Sequence, residues 1–159
     1  MKKIFFKYIP KTKEEKFGLE IYFLLVDKFM QTFLVGGTVR NILLGFQSHD
    51  IDIATNASPE EVAILLKKNK IKPIVDHANF GVVHVKYLDH LISITSLRKE
   101  VYYKNRFPKI ELIKNPEKDA KIRDFTLNSL YLSPKNNLIL DYVSGFEDCK
   151  NKVLKFNGN

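Results

Sequence analysis

Cysteine is almost missing from this chain: Cys149 is the only one in 159 residues. A lone thiol excludes an intramolecular disulfide framework and fits a reducing compartment. Long hydrophobic runs are missing as well. The opening MKKIFFKYIPK has the charged start of a signal peptide, but Lys7 and Pro10 interrupt its apolar run far short of a useful length. The longest later run, Ile21 to Val26, lies between Glu20 and Asp27 and is too short to cross a bilayer. These absences predict a cytoplasmic protein with no membrane partner. No repeat, low-complexity tract or Gly/Ser linker divides the chain. With 45% apolar content, one core is within reach, so residues 1–159 read as a single domain in which 1–12 form a basic N-terminal segment. His49, His77, His84 and His90 lack the spacing of a zinc site and read as structural or surface residues.

Basic residues, by contrast, are abundant. The formal charge is +8 and the pI near 9.4. A net positive field favours a polyanionic partner, because it attracts phosphates and speeds encounter; a coding bias toward lysine produces the same excess without a partner. Between Arg98 and Arg123, nine lysines and arginines face only Glu100, Glu111, Glu117 and Asp119, with Tyr102, Tyr103 and Phe107 interleaved. That mixture suits an RNA end, through phosphate pairing and base stacking, and suits a solvated loop equally well.

Periodicity outlines the elements. Lys13 to Met30 has helical spacing, with Phe17, Ile21, Leu24, Leu25 and Lys28 at three- and four-residue steps. Phe33 to Val35 reads as a buried strand ended by Gly36-Gly37, and Thr38 to Leu44 as a short helix stopped by Gly45. Asp50 and Asp52 alternate with Ile51 and Ile53, the pattern of a strand with one polar face. Ser58, Pro59 and Glu61 supply the N-cap, first-turn proline and capping-box glutamate of a helix to about Lys68. Lys72 to Val75, Val82 to Leu88 and Leu91 to Leu97 are β-like, the last two joined as a hairpin through Asp89-His90. Beyond a basic loop, Glu117 to Leu132 is helical in pattern, Leu138 to Tyr142 a strand, and Glu147 to Val153 a final helical turn or two. Helices mixed with a partly antiparallel sheet make an α/β or α+β domain.

The chemistry concentrates in FLVGGTVRNILLGFQSHDIDIAT, Phe33 to Thr55. Residues two apart on a strand point the same way, roughly 6.6–7 Å apart, so Asp50 and Asp52 can reach one ion. A divalent cation removes their mutual repulsion, and oxygen ligands completed by water and phosphate suit Mg²⁺. Two such ions would stabilise the attacking and leaving oxygens of an in-line phosphoryl displacement. The triplet alone also fits the solvated face of an edge strand. Its surroundings favour the metal: Gly36-Gly37 before a helix lets bare backbone N–H groups approach phosphate, and Arg40 adds a guanidinium one turn later.

LVGGTVRNILLG followed by HDIDIAT resembles the nucleotidyltransferase signature of the bacterial-type (class II) tRNA CCA-adding enzyme and poly(A) polymerase family. KIRDFTLNSLY, Lys121 to Tyr131, resembles that family's arginine-aspartate motif; SLRKEVYYKNRFPKIEL resembles its flexible loop and LILDYVSGFEDCKNKVL the stretch closing the head domain. The resemblance runs in order from about Phe17 to Phe156. It implies the mixed-sheet nucleotidyltransferase fold of the DNA polymerase beta superfamily, with flanking helices. It further implies that Asp50 and Asp52 are catalytic and hold Mg²⁺, that Gly36, Gly37 and Arg40 bind the triphosphate, and that Arg123 and Asp124 contact the nucleotide, the aspartate accepting from a ribose hydroxyl. Asn128, four residues on, would support that pocket, and Arg98 and Arg106 would contact RNA or phosphate.

Several positions depart from the family pattern. Asn41 stands where an aspartate usually follows the arginine, losing a charge that would orient Arg40. SITSLR replaces a segment like EVTTFR, so Ser93 occupies the place of a third acid. Asn105 replaces a common aspartate in the loop, and Ile122 the first of paired arginines. The neck that selects CTP or ATP, and the body and tail that grip tRNA, would follow Asn159. Two readings result. One is a catalytic head transferring a nucleoside monophosphate from CTP or ATP to an RNA 3′-hydroxyl such as a tRNA 3′ end, with neck and body on a separate chain. The other is a weak or inactive remnant that binds nucleotide or RNA. A head built to dock on a neck should also leave apolar surface near its end uncovered.

Overall fold

The computed structural model describes residues 1–75, 81–101 and 109–158. Its strands are β1 (Lys2–Phe5), β2 (Thr32–Leu34), β3 (Ile51–Thr55), β4 (Val82–Tyr87), β5 (His90–Ser96), β6 (Arg98–Val101), β7 (Lys109–Leu112), β8 (Leu130–Ser133) and β9 (Leu138–Asp141). The helices are α1 (Lys13–Val26), α2 (Gly36–Leu43), α3 (Pro59–Lys68), α4 (Pro116–Ala120) and α5 (Gly145–Lys150). Seven strands form one sheet in the order β1-β9-β8-β2-β3-β5-β4; β3 and β5 run parallel and the other pairs antiparallel. A separate hairpin pairs β6 with β7. This mixed α/β arrangement agrees with the expected fold class.

Local chemistry explains the helix starts. Thr12 accepts the Glu15 N–H while Glu15 accepts the Thr12 N–H, a reciprocal cap that opens α1. Ser58 and Glu61 do the same for α3, with Pro59 in its first turn. Alternation then divides the sheet's two faces. Leu34, Ile51, Ile53, Ile92 and Ile94 pack against Ile21 and Leu25 of α1 and Val62 and Leu66 of α3 in the main core. Phe33, Ala54, Leu97, Ala120 and Tyr131 form a smaller cluster. Asp52 shares strand parity with Ala54 and so belongs to the second face, which carries the site.

Several boundaries differ from the periodicity. α1 ends at Val26 rather than Met30, and the glycine pair belongs to the first turn of α2. Lys72 to Val75 makes only a bridge, at Ile74 with His84. The hairpin turn lies at Leu88-Asp89, since Tyr87 pairs with His90; Leu88 takes a positive φ of 54°. Residues 1–12 are more than a basic segment, because β1 pairs along β9.

The largest correction concerns Glu117 to Leu132, which is not one helix. Asn115 caps the five-residue α4, a single 3₁₀ turn spans Thr126–Asn128, and Leu130–Ser133 is β8. Leu127, Leu130 and Tyr131 imitate helical spacing but are buried in a strand and the turn before it. The C-terminal segment takes the backbone groups a helix would have used: Thr126 N–H donates to Lys155 O, and Asn157 N–H to Asp124 O. Tertiary pairing overrides local propensity here.

Candidate active site

The α2 N-terminus and β3 meet around Thr38. Its buried hydroxyl accepts the Asp52 N–H at 2.7 Å and donates to Asp50 O at 3.4 Å, fixing the backbone that carries both aspartates. Gly36 has φ +61°, and a Cβ there would lie 2.8 Å from Asp52 Oδ2, so only glycine lets the helix start so close to the carboxylate. Burial pushes the Asp52 carboxyl above the ordinary aspartate range. The nearby Arg123 charge and hydrogen bonds from the Gly37 and Thr38 amides oppose that shift, and Asp50 reinforces it. Asp50 precedes the strand proper and is turned toward β5: its Oδ1 accepts the Leu91 N–H at 3.0 Å and lies 3.8 Å from His90 Nδ1.

Arg40 borders the same spot, since a Cβ on Gly37 would meet Arg40 Nη2 at 3.4 Å and Asp52 Oδ2 at 3.7 Å. Arg40 Nε and Nη2 both donate to Asn41 Oδ1, at 3.2 and 3.0 Å, and Nη1 donates to Asn128 Oδ1 at 3.1 Å. Asn128 Nδ2 in turn donates to Asp124 Oδ1 at 3.4 Å, and that oxygen also accepts the Phe125 N–H. Arg40, Asn128 and Asp124 are thereby one network, although they come from α2 and from the irregular segment before β8.

A cavity of about 320 Å³ adjoins them, lined by Thr95, Arg98, Asp119, Ile122, Arg123 and Asp124. Arg123 is anchored in its wall: Nε donates to Asp119 Oδ2 at 3.0 Å and to Tyr131 Oη at 2.9 Å, and the guanidinium lies 5.3 Å from the Tyr131 ring centre. Desolvation lowers the Arg123 pKa, but the Tyr131 and Asp119 contacts outweigh it and leave the value raised. Asp119 Oδ1 also accepts the Arg98 N–H, which ties β6 to the same wall.

Residues 32–155 match the Poly A polymerase head domain model. The chain belongs to that family. It is 35% identical over 150 residues to a CCA-adding enzyme of Ligilactobacillus salivarius, covering 92% of this chain and 35% of the relative. It is 30% identical over 154 residues to poly(A) polymerase I of Escherichia coli, covering 89% and 32%. Among solved structures, the CCA-adding enzyme of Bacillus stearothermophilus in complex with CTP superposes with a TM-score of 0.74 at 26% identity, over 93% of this chain and 34% of that one. The chain thus spans about a third of the length of these relatives.

Within this head domain, Asp50, Asp52, Gly36, Gly37 and Arg40 lie around one helix start, and Arg98, Arg123, Asp124 and Asn128 at or beside the adjoining cavity. Arg106 and Asn105 lie outside the described residues. Two expectations need correction. Asn41 does orient Arg40, because an amide oxygen accepts two guanidinium donors without needing charge. Asn128 reaches Asp124 across a 3₁₀ turn and not along an α-helical face. Three other features escape the sequence. Thr38 looks like any first-turn threonine. Ser93 sits between Asp52 and His84 in one row across β3, β5 and β4, and its Oγ lies 3.1 Å from His84 Nδ1. Glu14, His49 and His90, far apart in the chain, place ligand atoms within 4.8 Å of one another.

Proposed function

We propose that this head domain binds a nucleoside triphosphate with Mg²⁺ and transfers its nucleoside monophosphate to an RNA 3′-hydroxyl, releasing pyrophosphate. The observation that carries the reading is the meeting of the Asp52 carboxylate and the Arg40 guanidinium at the start of α2, beside a cavity walled by Arg123 and Asp124. The donor set fits the metal: Asp50 and Asp52 offer only oxygen ligands, and Mg²⁺ prefers them. When bound, the ion neutralises charge on the triphosphate and at the attacking oxygen.

The chain's own residues do the positioning, which dominates phosphoryl transfer. The Gly37 and Thr38 amides and the Leu91 N–H hold the two carboxylates in place. Arg40, oriented by Asn41 and Asn128, pairs with phosphate oxygens together with the Gly36-Gly37 backbone. Arg123 uses Nε for its anchors and turns its terminal nitrogens to the nucleotide, while Asp124 accepts from a ribose hydroxyl. Arg98 and Arg106 contact RNA phosphates. His84 acts on the site through Ser93, the hydroxyl beside Asp52.

The proposed acceptor is the 3′ end of a tRNA, with CTP or ATP as donor, and the proposed compartment is the cytoplasm. Among the described residues no helix is long and apolar enough to cross a membrane. Leu154 and Phe156 are about two-thirds exposed, which supports docking of neck and body elements on this end. The decisive experiment incubates the protein with tRNA lacking its 3′ end, labelled CTP or ATP, and Mg²⁺, with Asp52→Ala in parallel. Incorporation that disappears in Asp52→Ala is expected. Absence of incorporation even with a supplied neck-and-body chain, together with absence of Mg²⁺-dependent nucleotide binding, would overturn the reading.

A further inference from the structure

We propose that Glu14, His49 and His90 form a binding site for a zinc-type transition-metal dication, separate in its ligands from the Asp50 and Asp52 pair. Glu14 comes from the first turn of α1, His49 from the segment before β3, and His90 from the first residue of β5. Their ligand atoms all lie within 4.8 Å of one another, with Glu14 Oε1 and His90 Nε2 4.0 Å apart. Ligands around one tetrahedral ion lie about 3.3–3.5 Å apart, as bonds of about 2.0–2.2 Å require. Binding would draw the ligand atoms together by up to roughly 1.5 Å. Two imidazoles with one carboxylate make a nitrogen-rich set that Zn²⁺ and its neighbours accept and Mg²⁺ does not prefer. Three protein ligands leave the fourth position open for water or an anionic oxygen.

The surroundings of His90 add a second, independent observation. A metal-bound histidine ordinarily gives its other ring nitrogen to a carboxylate, which sets the tautomer and the ring plane. His90 faces Glu14 with Nε2, and its Nδ1 lies 3.8 Å from Asp50 Oδ1. Asp50 is itself held by the Leu91 N–H. Its carboxylate therefore lies within ion-pair range of the ring nitrogen that Glu14 does not face, though beyond hydrogen-bond distance. The other two ligands are also braced. The Thr12 and Glu15 cap fixes the turn that carries Glu14, and Glu15 Oε1 accepts the N–H of Ser48, next to His49. The His49 and His90 rings stack with centroids 5.0 Å apart and planes 25° from parallel, so binding would turn one ring until both nitrogens face the ion. Glu14 and His90 side chains are 15% and 35% exposed and His49 is exposed, so the ion would sit at the surface, open to water on the His49 side.

Titration of the purified chain with Co²⁺ tests the site without nucleotide, RNA or Mg²⁺, so its outcome is independent of whether the chain transfers nucleotides. Visible d–d absorption of a low-coordinate ion is expected, competed away by Zn²⁺. It should be lost in His49→Ala and in His90→Ala and retained in Asp52→Asn and His84→Ala, with circular dichroism verifying the fold of each variant. Glu14→Gln provides a further ligand variant should a histidine substitution fail to fold. Asp50→Asn should weaken Co²⁺ binding by less than the roughly 10- to 100-fold that follows loss of a hydrogen-bonded orienting carboxylate. Absence of these bands, their survival without both histidines, or their loss in Asp52→Asn would overturn the proposal.

Discussion

Asp52 combines burial with a proposed role, metal binding, that needs its charge. Its folded pKa is raised, chiefly by desolvation, so in the absence of metal the fold favours the protonated acid. The associated stability is fully present below the ordinary aspartate value of 3.8 and is lost as pH rises through the raised folded value. Asp52→Asn should therefore raise the melting temperature of the metal-free protein at neutral pH, and the gap should shrink as pH falls toward that value; thermal unfolding across pH measures it. Arg40 is the other residue whose role can be isolated. A charge-assisted hydrogen bond contributes about 1.5–3 kcal/mol, which is roughly 10- to 100-fold in affinity. Arg40→Ala should weaken CTP or ATP binding by that factor in equilibrium titration, whereas Asn41→Ala should weaken it less, because it removes orientation and not the charge itself.

Between elements, the row Asp52, Ser93, His84 crosses three strands in register. Ser93 is paired directly with Asp52 across the parallel strands β3 and β5, so in the proposed site it neighbours the ion that Asp52 would hold. Ser93→Asp places a third oxygen ligand there. It should tighten Mg²⁺ binding and raise the rate of nucleotide incorporation at limiting Mg²⁺, while depressing the metal-free melting temperature through repulsion with Asp52. A rate that falls at every Mg²⁺ concentration would show that the hydroxyl and His84 are required as they stand. The same ladder explains why α2 begins at Gly36: the strand places Asp52 where any Cβ would collide with it.

Across the molecule, the site depends on its C-terminal segment. Asn157 Nδ2 donates to Ala120 O, Arg123 O and Ser129 Oγ, at 3.1, 3.0 and 2.5 Å, and Phe156 bridges to Phe125 with ring centres 4.7 Å apart. Those contacts clamp the loop that presents Arg123, Asp124 and Asn128. Gly145 admits the same loop from α5, since a Cβ there would lie 1.9 Å from Thr126 O. Asn157→Ala should cost roughly 1–3 kcal/mol at about 0.5–1.5 kcal/mol for each of the two amide N–H groups that its three acceptors share, lowering the melting temperature by about 2–4 °C for each kcal/mol. It should also weaken nucleotide binding although Asn157 lines neither the cavity nor the aspartate pair. A melting shift with unchanged nucleotide affinity would assign Asn157 to stability alone.

Elements whose signals are local were legible from the chain alone. The capping box of α3, the alternation in β3, the β-like runs of β4, β5 and β9, and the glycine pair beside an arginine are written within a few consecutive residues, because caps, pleats and turns depend on neighbours in sequence. The segment from Glu117 to Leu132 was misread for the opposite reason: its backbone partners lie at Lys155 and Asn157, and its apolar side chains are buried by strands on either side. β1 was invisible because its hydrogen bonds go to β9, more than a hundred residues away. The same division holds at the site. Asp50, Asp52, Arg40, Arg123 and Asp124 announce themselves by spacing and family resemblance, whereas the Thr38 hydroxyl, the Asn41 and Asn128 contacts to Arg40, the Ser93 and His84 row and the Glu14, His49 and His90 cluster exist only because sheet order and helix packing bring them together. Sequence by itself determined which chemistry was available; the tertiary structure decided which groups touch, since long-range register is set by burial and pairing that no short stretch encodes.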